Sequence, residues 1–330
     1  MLKFVIAFSL LWPAALFAGD IESSGESNYK IEKLKLPFPG YLYKPKPRNQ
    51  SYPAIVFLHG SEGGNNDFWY TPGNKPHRTG EEGFAPWLAR AYAKKGYVTL
   101  ALCYFDCRHH KGFSDYPPDD LVKVDLEGIT KKAVAWLRKQ KFVGERKVGL
   151  LGMSRGAEQA ILLASLSAPD SAGTPDAVAS LSPSDYVMEQ FSKETAEAII
   201  RGDYVHWPKK PAWIYGNHTP SVNYPIEVEK YRKPLLITFF STDTVAPGFV
   251  DLSRTIDRYK SADIDHFYRK IERDKIYKNI FRNISATSSM TIFIEYDFSG
   301  HVYPNEDKEP VALRLQIRIV DWFFKEHLKN

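Results

Sequence analysis

Short, nearly continuous apolar runs punctuate the chain, and amphipathic segments fill many of the intervals between them. The runs are 53–59 (PAIVFLH), 97–103 (YVTLALC), 147–151 (KVGLL), 177–181 (AVASL), 234–240 (PLLITFF) and 290–296 (MTIFIEY). Each has strand length and little polar alternation, the pattern of a strand covered on both faces. Between them, 84–95 sets Trp87, Leu88, Ala91 and Tyr92 at helical spacing and stops at Gly96. Residues 121–140 repeat Leu121, Val124, Leu126, Ile129, Ala133, Trp136 and Leu137 every three or four positions, which predicts a long amphipathic helix. Segments 158–167 and 311–327 predict two more.

Strands alternating with helices predict an α/β fold with a mostly parallel sheet and helices on both faces. Right-handed crossovers then bring the loops that follow the strands to one edge of the sheet, where ligands bind. Residues 183–232 interrupt the rhythm with Tyr186, Tyr204, Trp207, Trp213, Tyr215, Tyr224 and several prolines. They read as an inserted lid over that edge.

The first residues follow a different rule. Positions 1–18 (MLKFVIAFSLLWPAALFA) have a basic start at Lys3, an apolar stretch broken by Pro13, and Ala18 before Gly19-Asp20. This is the anatomy of a cleaved signal peptide. The expectation is export, to the periplasm or outside the cell, with a polar disordered lead over 19–30 and the folded domain over 31–330. No later stretch is long and apolar enough to span a bilayer. Composition agrees with a globular chain: of 330 residues, 43% are hydrophobic and 25% charged. The net charge of +5 comes from interspersed signs, without the basic stripe of a nucleic-acid protein.

The two cysteines, Cys103 and Cys107, would lie roughly 13 Å apart on an extended strand, too far for a disulfide. Either the chain turns at 104–106 and they bond, or they are free thiols at a strand end; an oxidising compartment favours the bond.

One motif carries chemistry. Gly152-Met153-Ser154-Arg155-Gly156 matches G-x-S-x-G. It lies between an apolar run and a helical segment, the strand–turn–helix setting of a nucleophile elbow. A serine hydroxyl needs a base, and the base needs an orienting partner. In the chain order Ser, acid, His, His301 comes after the run 290–296, and Asp243 after the run 234–240. The other downstream histidines are less suitable: His206 and His218 fall in the expected lid, His266 on a segment read as a charged helix, and His327 at the C-terminus. Asp203 and Asp251 are the reserve acids. The oxyanion of an acyl-transfer intermediate needs two fixed donors. The candidates are the N–H groups of Arg155 and of Ser61, the latter in His59-Gly60-Ser61-Glu62-Gly63-Gly64. Glu158 reads as a surface or ion-paired residue. No metal or cofactor motif stands in the chain; His109-His110 point opposite ways on an extended segment.

At these residues the chain resembles the α/β-hydrolase superfamily. More narrowly, it is similar to the catalytic domain of acyl-CoA thioesterases and bile-acid acyltransferases, near the dienelactone hydrolases. The resembling text is YVTLALCYF (97–105), residues 125–165 around GMSRG, PLLITFFSTDTVAP (234–247) and YDFSGHV (296–302). The resemblance implies a Ser154-Asp243-His301 triad acting on an acyl ester or thioester, with no cofactor. Bile-acid-conjugating members carry Cys where this chain has Ser, which favours transfer to water. Acyl-CoA hydrolysis or acyl transfer, peptide hydrolysis, and a binding protein that kept the fold without the chemistry are the alternatives.

Overall fold

The structure is a computed structural model. It describes residues 29–34, 40–46, 50–60, 84–104, 126–166, 171–183, 186–190, 194, 197, 201, 222–225, 231–241, 243, 252–261, 263–272, 280–297, 300–301, 303–304 and 310–329.

The first described elements are β1 (Tyr29–Leu34), β2 (Gly40–Pro45) and β3 (Tyr52–Leu58). Helix α1 (Phe84–Lys94) leads to β4 (Val98–Leu102), and α2 (Leu126–Arg138) to β5 (Val143–Met153). Helix α3 (Arg155–Leu166) precedes β6 (Ala177–Leu181), β7 (Tyr186–Gln190), β8 (Val222–Pro225) and β9 (Leu235–Phe240). Then come α4 (Leu252–Ser261), β10 (His266–Glu272), α5 (Ile280–Ser285), β11 (Thr291–Asp297), β12 (Gly300–His301), β13 (Tyr303–Pro304) and α6 (Pro310–Lys329).

The main sheet runs β1-β2-β4-β3-β5-β6-β9-β11-β10. From β4 to β10 every neighbouring pair is parallel. Strands β1 and β2 extend one edge antiparallel. The apolar runs are continuous because both faces are covered. Ala54, Val56 and Leu58 of β3 join one core with Ala133, Val134 and Leu137 of α2 and Ala160, Ile161 and Leu163 of α3. Ile55 and Phe57 point the other way, into a second core with Leu88 and Tyr92 of α1 and Ile319, Phe323 and Phe324 of α6. The period-two alternation of a strand thus feeds two cores, and truncating a residue such as Leu58 would cost about 2–5 kcal/mol.

Gly96 closes α1 as its spacing predicts. Its φ is +83°, its N–H donates to the Ala93 carbonyl at 3.1 Å, and the Tyr97 N–H donates to the Tyr92 carbonyl at 3.2 Å. These paired bonds satisfy the last helical carbonyls and turn the chain straight into β4.

Several elements were not legible in the hydrophobic pattern. Tyr29 and Lys30, expected in the polar lead, are the first residues of β1 and pair with Pro45 and Lys44 of β2. His266, expected on a charged helix, opens β10, the last strand of the sheet among the described residues. There Tyr268, Arg269 and Lys270 are exposed, and an edge strand tolerates such charge. Within the expected lid, β7 and β8 form a separate antiparallel pair, and β7 packs beside α3.

Candidate active site

Strand β5 ends at Met153 and α3 begins at Arg155, so Ser154 makes the turn alone, with φ +52°. A non-glycine residue enters this left-handed region only where its surroundings impose it, at a cost of about 1–3 kcal/mol. The two motif glycines account for it. A Cβ on Gly152 would lie 2.0 Å from the Gly156 carbonyl oxygen, and one on Gly156 would lie 2.5 Å from the carbonyl oxygens of both Leu58 and His59. Neither place admits a side chain. The G-x-S-x-G spacing is therefore a packing requirement that lets β5, α3 and the end of β3 meet backbone to backbone. The Ser154 N–H donates to the Leu181 carbonyl at 2.9 Å, and its carbonyl accepts from Ala157 at 2.8 Å and Glu158 at 3.3 Å. The serine is bound into the sheet on one side and starts the helix on the other, yet keeps 8% exposure.

The acid and base candidates come after β9 and β11, which are adjacent and parallel. Ser241 stitches the two strand ends together: its N–H donates to the Tyr296 carbonyl at 3.0 Å, and its hydroxyl donates to an Asp297 carboxylate oxygen at 3.0 Å. Asp243 comes two residues later, with its N–H on the Phe240 carbonyl at 3.2 Å and its side chain buried. His301 stands in β12, paired with Tyr303 of β13, and β12 runs beside β9. Ser154, Asp243 and His301 thus come after the C-terminal ends of β5, β9 and β11, at one edge of the sheet. Of the reserve acids, Asp203 and Asp251 lie outside the described residues.

Leu58 of β3 is in register with Gly152 of β5, which sets His59-Gly60 against the first turn of α3. The His59 ring is wholly buried, and its Nδ1 lies 2.8 Å from the Gly60 carbonyl oxygen. A carbonyl only accepts, so Nδ1 carries the proton. Burial first, and the nearby Arg155 charge less strongly, push the His59 pKa down to about 4, against the opposing Gly60 hydrogen bond. The ring is neutral at neutral pH. Ser61 itself lies outside the described residues. The Arg155 N–H precedes the first amides bonded to the Ser154 carbonyl, where an α-helix leaves its donors without intrahelical partners. Side chains of Arg155 and Glu158 are buried in this turn; Glu158, expected on the surface or in an ion pair, sits where a carboxylate favours the helix dipole.

Sequence reasoning passed over Ser241, His59 and Tyr104 as side chains with a role at this edge. The signal was present in two of them: a polar-capable ring ends or directly follows each of two adjacent apolar runs, His59 directly after β3, which pairs with the motif strand, and Tyr104 after β4, which pairs with β3. Cys103, between β4 and Tyr104, is disulfide-bonded; Cys107 lies outside the described residues. Among the described residues no cluster of three or more His, Cys, Asp or Glu is placed to hold a metal ion, and no helix is long and apolar enough to cross a membrane.

By sequence, no family profile matches the chain, and no curated protein does. Solved structures do match in three dimensions. Acylaminoacyl peptidase from Pyrococcus horikoshii superposes with a TM-score of 0.52 at 14% identity, over 96% of this chain and 43% of that longer one. The chain has the α/β-hydrolase fold. A dienelactone hydrolase from Anabaena variabilis aligns at 15% identity and a TM-score of 0.44, over 91% of this chain and 99% of that one. Esterase Est2 from Thermogutta terrifontis aligns at 16% identity and a TM-score of 0.49, over 91% and 92%. In an α/β-hydrolase fold, the turn after β5 and the loops after β3, β9 and β11 are the places where a nucleophile, oxyanion donors, an acid and a base can converge.

Proposed function

We propose that the protein is an exported serine hydrolase that cleaves acyl esters or thioesters of small molecules. The observation that carries this reading is the turn at Ser154: a serine at positive φ, between two glycines that no side chain could replace, at the start of a helix. A hydroxyl held there stands clear of the sheet with amide donors beside it.

In the reaction, Ser154 Oγ attacks the acyl carbonyl while His301 takes its proton. Asp243 accepts the other imidazole N–H, fixes the tautomer and stabilises the imidazolium. The amides of Arg155 and Ser61 hold the oxyanion. The tetrahedral intermediate collapses, His301 gives its proton to the departing alcohol or thiol, and an acyl-enzyme remains. Water, deprotonated by His301, then releases the acid and restores Ser154. No step requires a cofactor.

Export rests on the signal-peptide pattern of residues 1–18 and is supported by the disulfide at Cys103, since disulfides persist outside the reducing cytosol. Acyl-CoA is a cytosolic thioester, so export favours other esters and thioesters over it.

The test is turnover by the mature protein across 4-nitrophenyl esters and acyl thioesters of graded chain length, with Ser154→Ala alongside. The reading requires release of alcohol or thiol that is abolished in the variant, with an initial burst for substrates whose deacylation is the slower step. An intact Ser154→Ala activity would overturn it.

A further inference from the structure

The acid and base candidates leave the sheet after β9 and β11, and the ladder between those two strands ends at the pair Phe240–Tyr296. One residue further on, Ser241 continues the joint by other means. Its N–H donates to the Tyr296 carbonyl at 3.0 Å, and its hydroxyl donates to one Asp297 carboxylate oxygen at 3.0 Å. The other Asp297 oxygen lies 3.4 Å from Lys270 Nζ of β10, and the same ammonium lies 3.3 Å from a Glu295 oxygen. On that side β10 and β11 stay in register as far as the pair Glu272–Asp297. Asp297 is therefore held from both neighbouring strands, by a hydroxyl on one side and an ammonium on the other.

Ser241 also lies in the turn that delivers the acid. The Asp243 N–H donates to the Phe240 carbonyl at 3.2 Å, the bond that closes a turn between them. The Asp243 side chain is buried, whereas Ser241 is exposed and Asp297 keeps 40% of its side chain in reach of solvent. An enclosed carboxylate takes its direction from the backbone that bears it. The Ser241 N–H alone would fix one point of that backbone and leave the turn free to rotate about it. The hydroxyl adds a second point on β11 and removes the rotation. An exposed, salt-screened cluster of this kind contributes little to stability, so folding does not depend on it. Orientation does: the acid has to meet an imidazole N–H within hydrogen-bond reach, and a misplacement of about 1 Å can cost on the order of 100-fold in rate.

We propose that Ser241 is a positioning residue for the acid: its hydroxyl, anchored on Asp297, holds the turn that aims the Asp243 carboxylate. This rests on the serine-hydrolase reading and on Asp243 as its acid. A carboxylate beside the imidazole favours the charged ring and so raises the pKa of the base. The base acts in its neutral form, so kcat/KM rises with pH through that pKa. Loosening the acid therefore slows the chemical step and moves the acid limb of the profile to lower pH, while ground-state binding is barely touched.

The experiment compares wild type with Ser241→Ala, which removes the hydroxyl and changes no charge, normalising rates to active sites titrated with a fluorophosphonate. The inference predicts a kcat for a 4-nitrophenyl ester lower by about 10–100-fold, with KM changed less than about threefold. The acid limb of kcat/KM should move to lower pH by about half a unit or more. Ser241→Thr keeps the hydroxyl and should hold kcat within about threefold of wild type, with the limb in place. Asp297→Ala removes the acceptor and should lower kcat as Ser241→Ala does, and the two together should lose no more than the larger single loss. In an Asp243→Asn background, Ser241→Ala should change kcat by less than about twofold, because the acid that it positions is already gone. Unchanged kcat per site and pH limb in Ser241→Ala, a threonine as damaging as alanine, or a full further loss in the Asp243→Asn background overturns the inference alone. A silent Asp243→Asn overturns the acid assignment and this inference with it. A wild type that neither turns over esters nor labels at Ser154 overturns the hydrolase reading as well.

Discussion

Ser154 and Ser182 end neighbouring strands of the sheet with nearly the same backbone. Their φ angles are +52° and +55°. The Ser154 N–H donates to the Leu181 carbonyl at 2.9 Å, and the Ser182 N–H to the Thr238 carbonyl at 2.7 Å, so each reaches across to the next strand in the series β5-β6-β9. The left-handed turn is thus a recurring way of leaving a parallel strand here, and strain alone does not mark a nucleophile. The two serines differ in the chain that comes after them. Beyond Ser154 a helix of 12 residues begins at once, brought close by glycines whose Cβ atoms would overlap backbone oxygens. Beyond Ser182 comes Pro183, which has no N–H to offer an oxyanion. Ser154 keeps 8% of its surface in reach of solvent, and Ser182 keeps none.

The contrast can be broken or sharpened by mutation. The largest effect expected is from Ser154→Ala, which should lower kcat by about 10⁵-fold or more, as for other serine nucleophiles, with the melting curve little changed. Asp243→Asn should come next, lowering kcat by about 10⁴-fold by favouring the wrong imidazole tautomer; a near-silent variant would move the acid elsewhere. Gly156→Ala should destabilise the fold by about 3 kcal/mol or more, because a methyl there must displace two backbone carbonyls rather than a yielding side chain; urea unfolding measures it.

Acid should expose the buried ring beside the nucleophile. His59 has a pKa of about 4 in the folded protein and about 6.5 unfolded, so on acidification the unfolded chain takes up the proton first. Stability should therefore be unaffected by this group above pH 6.5 and fall by about 3 kcal/mol between pH 6.5 and 4. His59→Phe should remove that part of the slope. The smallest effect is reserved for the control serine: Ser182→Ala should change kcat by less than about threefold, under 1 kcal/mol in barrier height, and a larger loss would undo the contrast between the two turns.

What was visible in the residues depends on which forces wrote the pattern. Central strands such as β3, β4 and β9 are buried on both faces, and their apolar runs announced them. Gly152 and Gly156 were legible because backbone contact excludes every other residue. Edge strands were not: β10 pairs on one side only among the described residues and carries Arg269 and Lys270, and β1 owes its existence to pairing with β2. Ser241 and Tyr104 act through partners 55 and 45 positions away, a distance that no local spacing records. His59 was read only as the end of an apolar run, since its ring's burial and the stack on Tyr104 exist only once β3 and β4 lie side by side.

The central claim is that Ser154, and no other serine at this edge, is the nucleophile. Treating the mature protein with a fluorophosphonate and locating the adduct by peptide mass spectrometry tests it directly. The account predicts a single adduct on the peptide containing Ser154, formed in step with the loss of esterase activity and absent from Ser154→Ala. An adduct on Ser182, or full loss of activity with Ser154 unmodified, would contradict it.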